Sequence, residues 1–455
     1  MKRLGEKNDF YKEMIGIALP ITLQNLIANS VNMLDTLMIS SLGEKSLAAV
    51  GFANQVFFLY SVTIFGIVTG SSVFIAQFWG KRDSENIRRV IGVSLTLSII
   101  LGLIFSIAVL VAPDSIMGIF SKDVEVINLG IEYLTIVVFS YIITGISFTF
   151  SVASRSIGQA KMPMIVSIIS FLTNALFNYL LIFGKFGFPR LGIRGAAYGT
   201  LIARIVEILF ILYAVYSDSM SPLAGNIKEM TNWNKKFLKR YFSTTSPVMI
   251  NEALWSLGNV MYSIAYSKIG TEAAASVQIL NTVYNLFMVF ARGMANSCTV
   301  MVGNKIGAGE EDVAIDYANR FLRISALTGL ALGGCLYLGS DLILKIFRNL
   351  SPGVYATSKK LLTVLSIFFF LKAMNSTLIV GVFRGGGDTK FSMKLEMAAV
   401  WLVGVPLAFL GATVLKWPVH LVLVLVYMEE VLKAIIGIPR VISKKWVKNV
   451  IQDID

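Results

Sequence analysis

The chain has 455 residues, 55% of them hydrophobic and only 15% charged, with a formal net charge of +13. A mean hydropathy of +0.72, with a charged fraction far below the ~25% of ordinary soluble domains, excludes a water-soluble globular protein. The positive balance does not point to nucleic acid. Lysines and arginines stand in short runs between apolar blocks, as in loops flanking membrane spans, and not in a stripe interleaved with stacking aromatics. Cys298 and Cys335 lie in apolar segments and make neither a disulfide framework nor a metal pair. The polar N-terminus runs into a full-length apolar span with no cleavage site, so no cleaved leader is expected.

Apolar blocks long enough for a ~30 Å hydrocarbon core follow one another along the chain. The predicted spans of the first half are Met14–Ile39, Ala48–Ala76, Val90–Val111, Ile127–Ala153, Met164–Phe183 and Gly192–Tyr216. Those of the second half are Phe242–Ser267, Ala273–Val302, Ala318–Leu338, Leu361–Phe383, Met393–Leu415 and Pro418–Val441. The predicted organisation is a six-helix lobe (1–216), a cytoplasmic connector (217–240), a second six-helix lobe (241–441) and a cytoplasmic tail (442–455). Basic residues such as Lys81, Arg82, Arg155, Lys161, Lys305, Arg384 and Lys390 concentrate on one side. The positive-inside rule makes that side cytoplasmic, and twelve spans place both termini there, in the cell membrane. The segments Trp233–Arg240 and Lys444–Ile451 combine basic residues with a tryptophan and read as interfacial helices.

The two halves repeat. Pro20 and Pro247, Gly43 and Gly270, Gly66 and Gly293, and Gly80 and Gly307 are each 227 positions apart, the prolines being read as span openers. Arg155 and Arg384, Gly158 and Gly387, and Lys161 and Lys390 are each 229 apart. Six spans per unit make this a parallel repeat, the arrangement of transporters whose two lobes rock against each other. The run Arg384-Gly385-Gly386-Gly387-Asp388-Thr389-Lys390 lacks the Lys-Ser/Thr ending of a phosphate loop, and its repeat mate lacks the glycines. Both are expected to be tight turns anchored by basic residues. With one histidine, His420, multi-histidine metal sites and serine–histidine triads are excluded, and an intramembrane enzyme lacks a catalytic constellation.

Polar groups inside spans are the functional candidates, because each costs ~2.5–3.5 kcal/mol when charged. Asp35 has no basic neighbour one turn away and is a candidate binder of a proton or of Na⁺. Asn174 and Asn178 share a helix face at i, i+4, and Thr200 lies in a small-residue stretch that also suits helix packing. In the second half, Glu252, Lys372 and Asn375 are candidates for a cavity, with Glu252 and Lys372 able to pair. Arg204 with Glu207, and Glu429 with Lys433, read as internal ion pairs.

These residues carry a family resemblance. The proline-led first span with Asp35, the closing Gly80, the turn Arg155…Gly158…Lys161, Asn174…Asn178-Tyr179 and Gly195-Ala196-Ala197…Thr200 together resemble the MATE (multidrug and toxic compound extrusion) family. The resemblance implies a V-shaped all-α transporter of two six-helix bundles. It implies efflux of amphiphilic organic cations in exchange for H⁺ or Na⁺, with no other cofactor. Carried over residue by residue, it implies a cation-coupling site at Asp35, Asn174, Asn178 and Thr200. Asn178 stands where some members have a second aspartate. A C-lobe Na⁺ site is not carried over, since the tenth span offers Lys372 and Asn375 in place of an acid. The chain is expected to act as a monomer in the bilayer. A flippase for a lipid-linked sugar is the alternative, with Lys372 the feature that favours it.

Overall fold

The computed structural model describes residues 2–218, 220–347 and 350–452, with side chains from residue 9 onward; the last three residues of the predicted tail lie outside this set. In chain order the helices are α1 (Lys2–Ser40), α2 (Glu44–Lys81), α3 (Ser84–Val111), α4 (Pro113–Phe120), α5 (Val124–Val137), α6 (Phe139–Ser156), α7 (Lys161–Phe183), α8 (Ile193–Tyr216) and the single turn α9 (Ile227–Met230). They continue as α10 (Lys235–Ser267), α11 (Thr271–Gly307), α12 (Glu311–Ile346), α13 (Pro352–Ser376), α14 (Thr389–Met397), α15 (Val405–Phe409) and α16 (Val419–Ile442).

Among the described residues, nine spans are both long and apolar enough to cross a membrane. A tenth is made of α5 and α6, bent by 48° at their junction. Helices α10 and α16, of 33 and 24 residues, are also of spanning length. Their interiors are more polar, holding Asn251 and Glu252 in one and Glu429, Glu430 and Lys433 in the other. These two bring the number to twelve. Pro20 and Pro247 do not open spans as expected: they sit inside α1 and α10, which begin more than ten residues earlier.

The chain divides into two compact units, Leu19–Trp79 with Asp83–Tyr241, and Met1–Ala18 with Gly80–Arg82 and Phe242–Asp455. In the first, Asp83 caps α3 by accepting from the Asn86 amide, and Gly184 ends α7 in the left-handed region at φ +66°. Tyr60 and Tyr141 stack at 5.0 Å in its core. The connector belongs to this unit. Its Met230 carbonyl lies where a side chain on Gly92 would stand, and Glu229 pairs with Arg88 at 3.2 Å. Trp233 precedes α10 and hydrogen-bonds the Met230 carbonyl; the predicted interfacial helix is instead the start of α10 at Lys235.

In the second unit, α12 shows how a spanning helix divides its faces. Leu327, Leu330, Leu338, Leu342 and Ile346 are exposed, as lipid contacts must be, while Phe321, Ser325, Gly329, Gly333 and Leu336 are buried. Gly333 lets the Ser366 carbonyl of α13 approach to within 2.5 Å of where a Cβ would stand, the small-residue packing that replaces a hydrophobic drive in lipid. The spans built from α13 to α15 are irregular. They contain π-helical stretches at Thr377–Arg384, Ala398–Gly404 and Leu410–Val414. Pro406, which lacks an amide donor and crowds the preceding turn, follows the second of these.

The predicted interfacial helix Lys444–Ile451 is not helical. This segment turns back onto the Gly385–Asp388 turn and seats Trp446, fully buried, against Gly386. Lys448 N donates to the Gly386 carbonyl at 2.8 Å. Asp388, wholly buried, is paired with Arg440 at 2.7 Å and with Lys448 at 2.5 Å. The glycine run is therefore a seat for the tail. Any side chain at Gly386 would begin 2.3 Å from the indole ring.

Candidate functional site

In the first unit, α1, α7 and α8 bring together all four residues singled out there. Asn178 Nδ2 donates to Asp35 Oδ1 at 2.6 Å and to Asn174 Oδ1 at 3.2 Å. Asn174 Nδ2 reaches Thr200 Oγ1 at 3.5 Å, the outer limit of a hydrogen bond. The i, i+4 spacing puts both amides on one face of α7, and Gly199 on α8 makes room: a Cβ there would stand 2.1 Å from Asn178 Oδ1. That oxygen is buried and accepts no hydrogen bond. Asp35 is half-buried, with Asn174 and Asn178 buried behind it. Tyr133 stands beside Thr200 and Asp35. Arg204 is held 2.7 Å from Glu207, which also accepts from Ser170, so the expected ion pair forms. Asp35 is thus a carboxylate hydrogen-bonded to a neutral amide, near Arg204 but in no direct ion pair among the described residues.

The second unit holds a connected set of buried charges. Tyr262 donates to Glu429 Oε2 at 2.5 Å, and Lys433 lies between Glu429 and Glu430, at 3.5 and 3.4 Å. Lys372 Nζ is 3.1 Å from Glu430 Oε1, and Asn375 Nδ2 donates to Glu430 Oε2 at 2.8 Å. The expected pairing of Glu252 with Lys372 does not occur. Glu252 meets Arg384 at 2.5 Å, while Lys372, on α13, faces α16. Arg384 also approaches Glu396 at 3.6 Å, and Asn251 donates to Glu396. Of the three second-half candidates, Lys372 and Asn375 therefore meet at Glu430, and Glu252 is engaged elsewhere.

Sequence reasoning missed Arg384, Glu396 and Glu430 among these buried charges. Glu396 and Glu430 carried the signal, being acids within predicted spans. Arg384 carried none, because its position at a turn is equally consistent with an arginine facing water, yet its side chain is only 4% exposed. Among the described residues no cluster of three or more His, Cys, Asp or Glu side chains is arranged to hold a metal.

The MatE family model matches residues 20–180 and 247–410. The two matched segments start at the prolines that mark the repeat. The chain is 28% identical over 406 residues to Probable multidrug resistance protein NorM of Thermotoga maritima, covering 89% of this chain and 86% of that one. It is 25% identical over 410 residues to Probable multidrug resistance protein YoeA of Bacillus subtilis, covering 89% and 87%. Among solved structures, a MATE protein in the bent conformation superposes with a TM-score of 0.87 at 22% identity, over 96% of both chains. A MOP superfamily transporter from Pyrococcus furiosus superposes with 0.85 at 22% identity, over 95% and 96%. The sequence match spans most of the chain and the fold agrees throughout: the protein belongs to the MATE family of membrane transporters.

Proposed function

We propose that the chain exports small amphiphilic organic cations across the cell membrane in exchange for H⁺ or Na⁺, through alternating access of its two halves. The observation that carries this reading is Asp35 held by Asn178, which is itself bonded to Asn174, with no cation in direct contact among the described residues. A carboxylate whose only direct partner is a neutral amide gains or loses a charge without leaving an opposite charge stranded in lipid, where stranding is costly. As the side chains stand, Asn178 offers Asp35 a donor. Taking up Na⁺, which needs oxygen ligands, requires the amide to turn its free Oδ1 inward beside Asn174 Oδ1 and Thr200 Oγ1. Taking up H⁺ requires no turn. The names of the relatives in Thermotoga maritima and Bacillus subtilis support a multidrug cargo.

The test is transport into inverted membrane vesicles with a H⁺ or a Na⁺ gradient imposed separately, against a panel of organic cations. Asp35→Asn is expected to abolish gradient-driven exchange while the protein still inserts and purifies normally. Gradient-driven exchange at the unsubstituted rate in that variant refutes the assignment. The flippase reading drew on Lys372 as an open anion receptor, and the ammonium is already engaged by Glu430.

A further inference from the structure

Lys372 is enclosed in an unusual way for a structural ion pair. Its Nζ lies 4.3 Å from the ring centroid of Tyr427 and 5.3 Å from that of Tyr284, in addition to the carboxylate of Glu430 at 3.1 Å. Two aromatic faces and a carboxylate around one ammonium are the means by which proteins recognise ammonium ligands. Glu430 has compensation besides Lys372. Lys433 Nζ stands 3.4 Å from the same Oε1, and Asn375 donates to Oε2. Nor is the cage wholly closed: Tyr427 and Asn375 are buried, but Tyr284 on α11 is half-buried and the Lys372 side chain is 10% exposed.

We propose that Tyr427, Tyr284 and Glu430 form a binding site for alkylammonium ions and that Lys372 is its tethered occupant, displaced when a ligand ammonium enters. This rests on the reading of the chain as an organic-cation exporter, and it adds a place for the cationic head and an internal competitor for it. A lysine head is a compact ammonium on a flexible four-carbon stem. The free molecule most like the present occupant is therefore n-butylammonium. A tethered competitor lets the site release its cargo without leaving Glu430 facing an empty cage.

The experiment measures n-butylammonium binding by calorimetry to the full chain in nanodiscs of neutral phospholipid. Lys372→Ala is expected to bind about tenfold more tightly than the unsubstituted chain, the scale of a desolvated cation–aromatic contact. Adding Tyr427→Leu is expected to remove that gain. Equal binding with and without Lys372, or a gain that survives Tyr427→Leu, overturns the proposal. If Lys372→Ala purifies only as aggregate, preparation in n-butylammonium is the second measurement: recovery of monodisperse protein supports the site, and no recovery overturns it. Vesicle uptake of the same amine by the unsubstituted chain tests the export reading alone. A binding gain without any transport refutes export and leaves the site standing.

Discussion

Corresponding positions of the two halves carry different chemistry: Asp35 and Thr200 are joined through Asn178 and Asn174, and their counterparts are joined directly. In the first half, the span-one position is Asp35 and the span-six position is Thr200. The same offsets lead in the second half to Tyr262 and Glu429, and those two are hydrogen-bonded. The acid has changed helices. A second pair of mates shows that the register is real: Gln24 donates to Ser167 at 3.1 Å, and its counterpart Asn251 donates to Glu396. At this second pair the first half is neutral and the second carries Glu396, which lies with Glu252 against Arg384.

On the proposed function, the difference separates two tasks. Around Asp35 the direct partner is an amide, so a single charge can change in place. In the second half Glu252 and Glu396 share Arg384, while Glu429 and Glu430 share Lys433 and Glu430 also meets Lys372. Changing one charge there disturbs several partners. The duplication supplied the scaffold, and divergence at its polar positions put paired charges in the second half; on the proposed function, charge switching stays with the first.

Removing one of these paired charges should cost most. Arg384→Ala leaves Glu252 without its cation and takes from Glu396 one of its two, Lys433 being the other. It should lower stability by about 3–5 kcal/mol, as for other broken buried pairs, seen as a large drop in melting temperature of the purified protein. A drop no larger than that of Arg155→Ala, its first-half mate, would break the comparison. Next in size is Trp446→Ala, which empties the seat on Gly386 and should cost ~3 kcal/mol as a buried tryptophan truncation, with Gly386→Ala destabilising in the same melt. Asn178→Ala should lower stability by only ~1–2 kcal/mol, a lost buried hydrogen bond, yet slow gradient-driven exchange severely. The split between melt and transport is the signature of a coupling residue. Smallest is Arg194→Ala, which removes the exposed pair with Glu132 and should leave both melt and transport unchanged.

The scaffold was legible in the sequence because it depends on apolar length and on prolines and glycines at fixed offsets. The first-half cluster was legible too. Asp35, Asn174, Asn178 and Thr200 are all polar residues placed where lipid or packing makes polarity expensive, and the structure joins them in one chain of contacts. The second-half pairing was not legible, because it depends on which faces of α10, α13 and α16 turn together. Glu252 and Lys372 looked like partners by charge, and helix rotation gave each a different one. The tail failed for a related reason. A tryptophan among lysines has the composition of an interfacial helix, and only the bare surface of Gly386 and Gly387 shows that it folds back instead.

The division of tasks is tested most directly by comparing Asp35→Asn with Glu429→Gln in the same gradient-driven vesicle assay. Glu429→Gln leaves three carboxylates facing three cations and keeps an acceptor for Tyr262, so exchange should persist. Asp35→Asn should abolish it. Exchange that survives Asp35→Asn, or that is lost in a well-folded Glu429→Gln, would contradict the account.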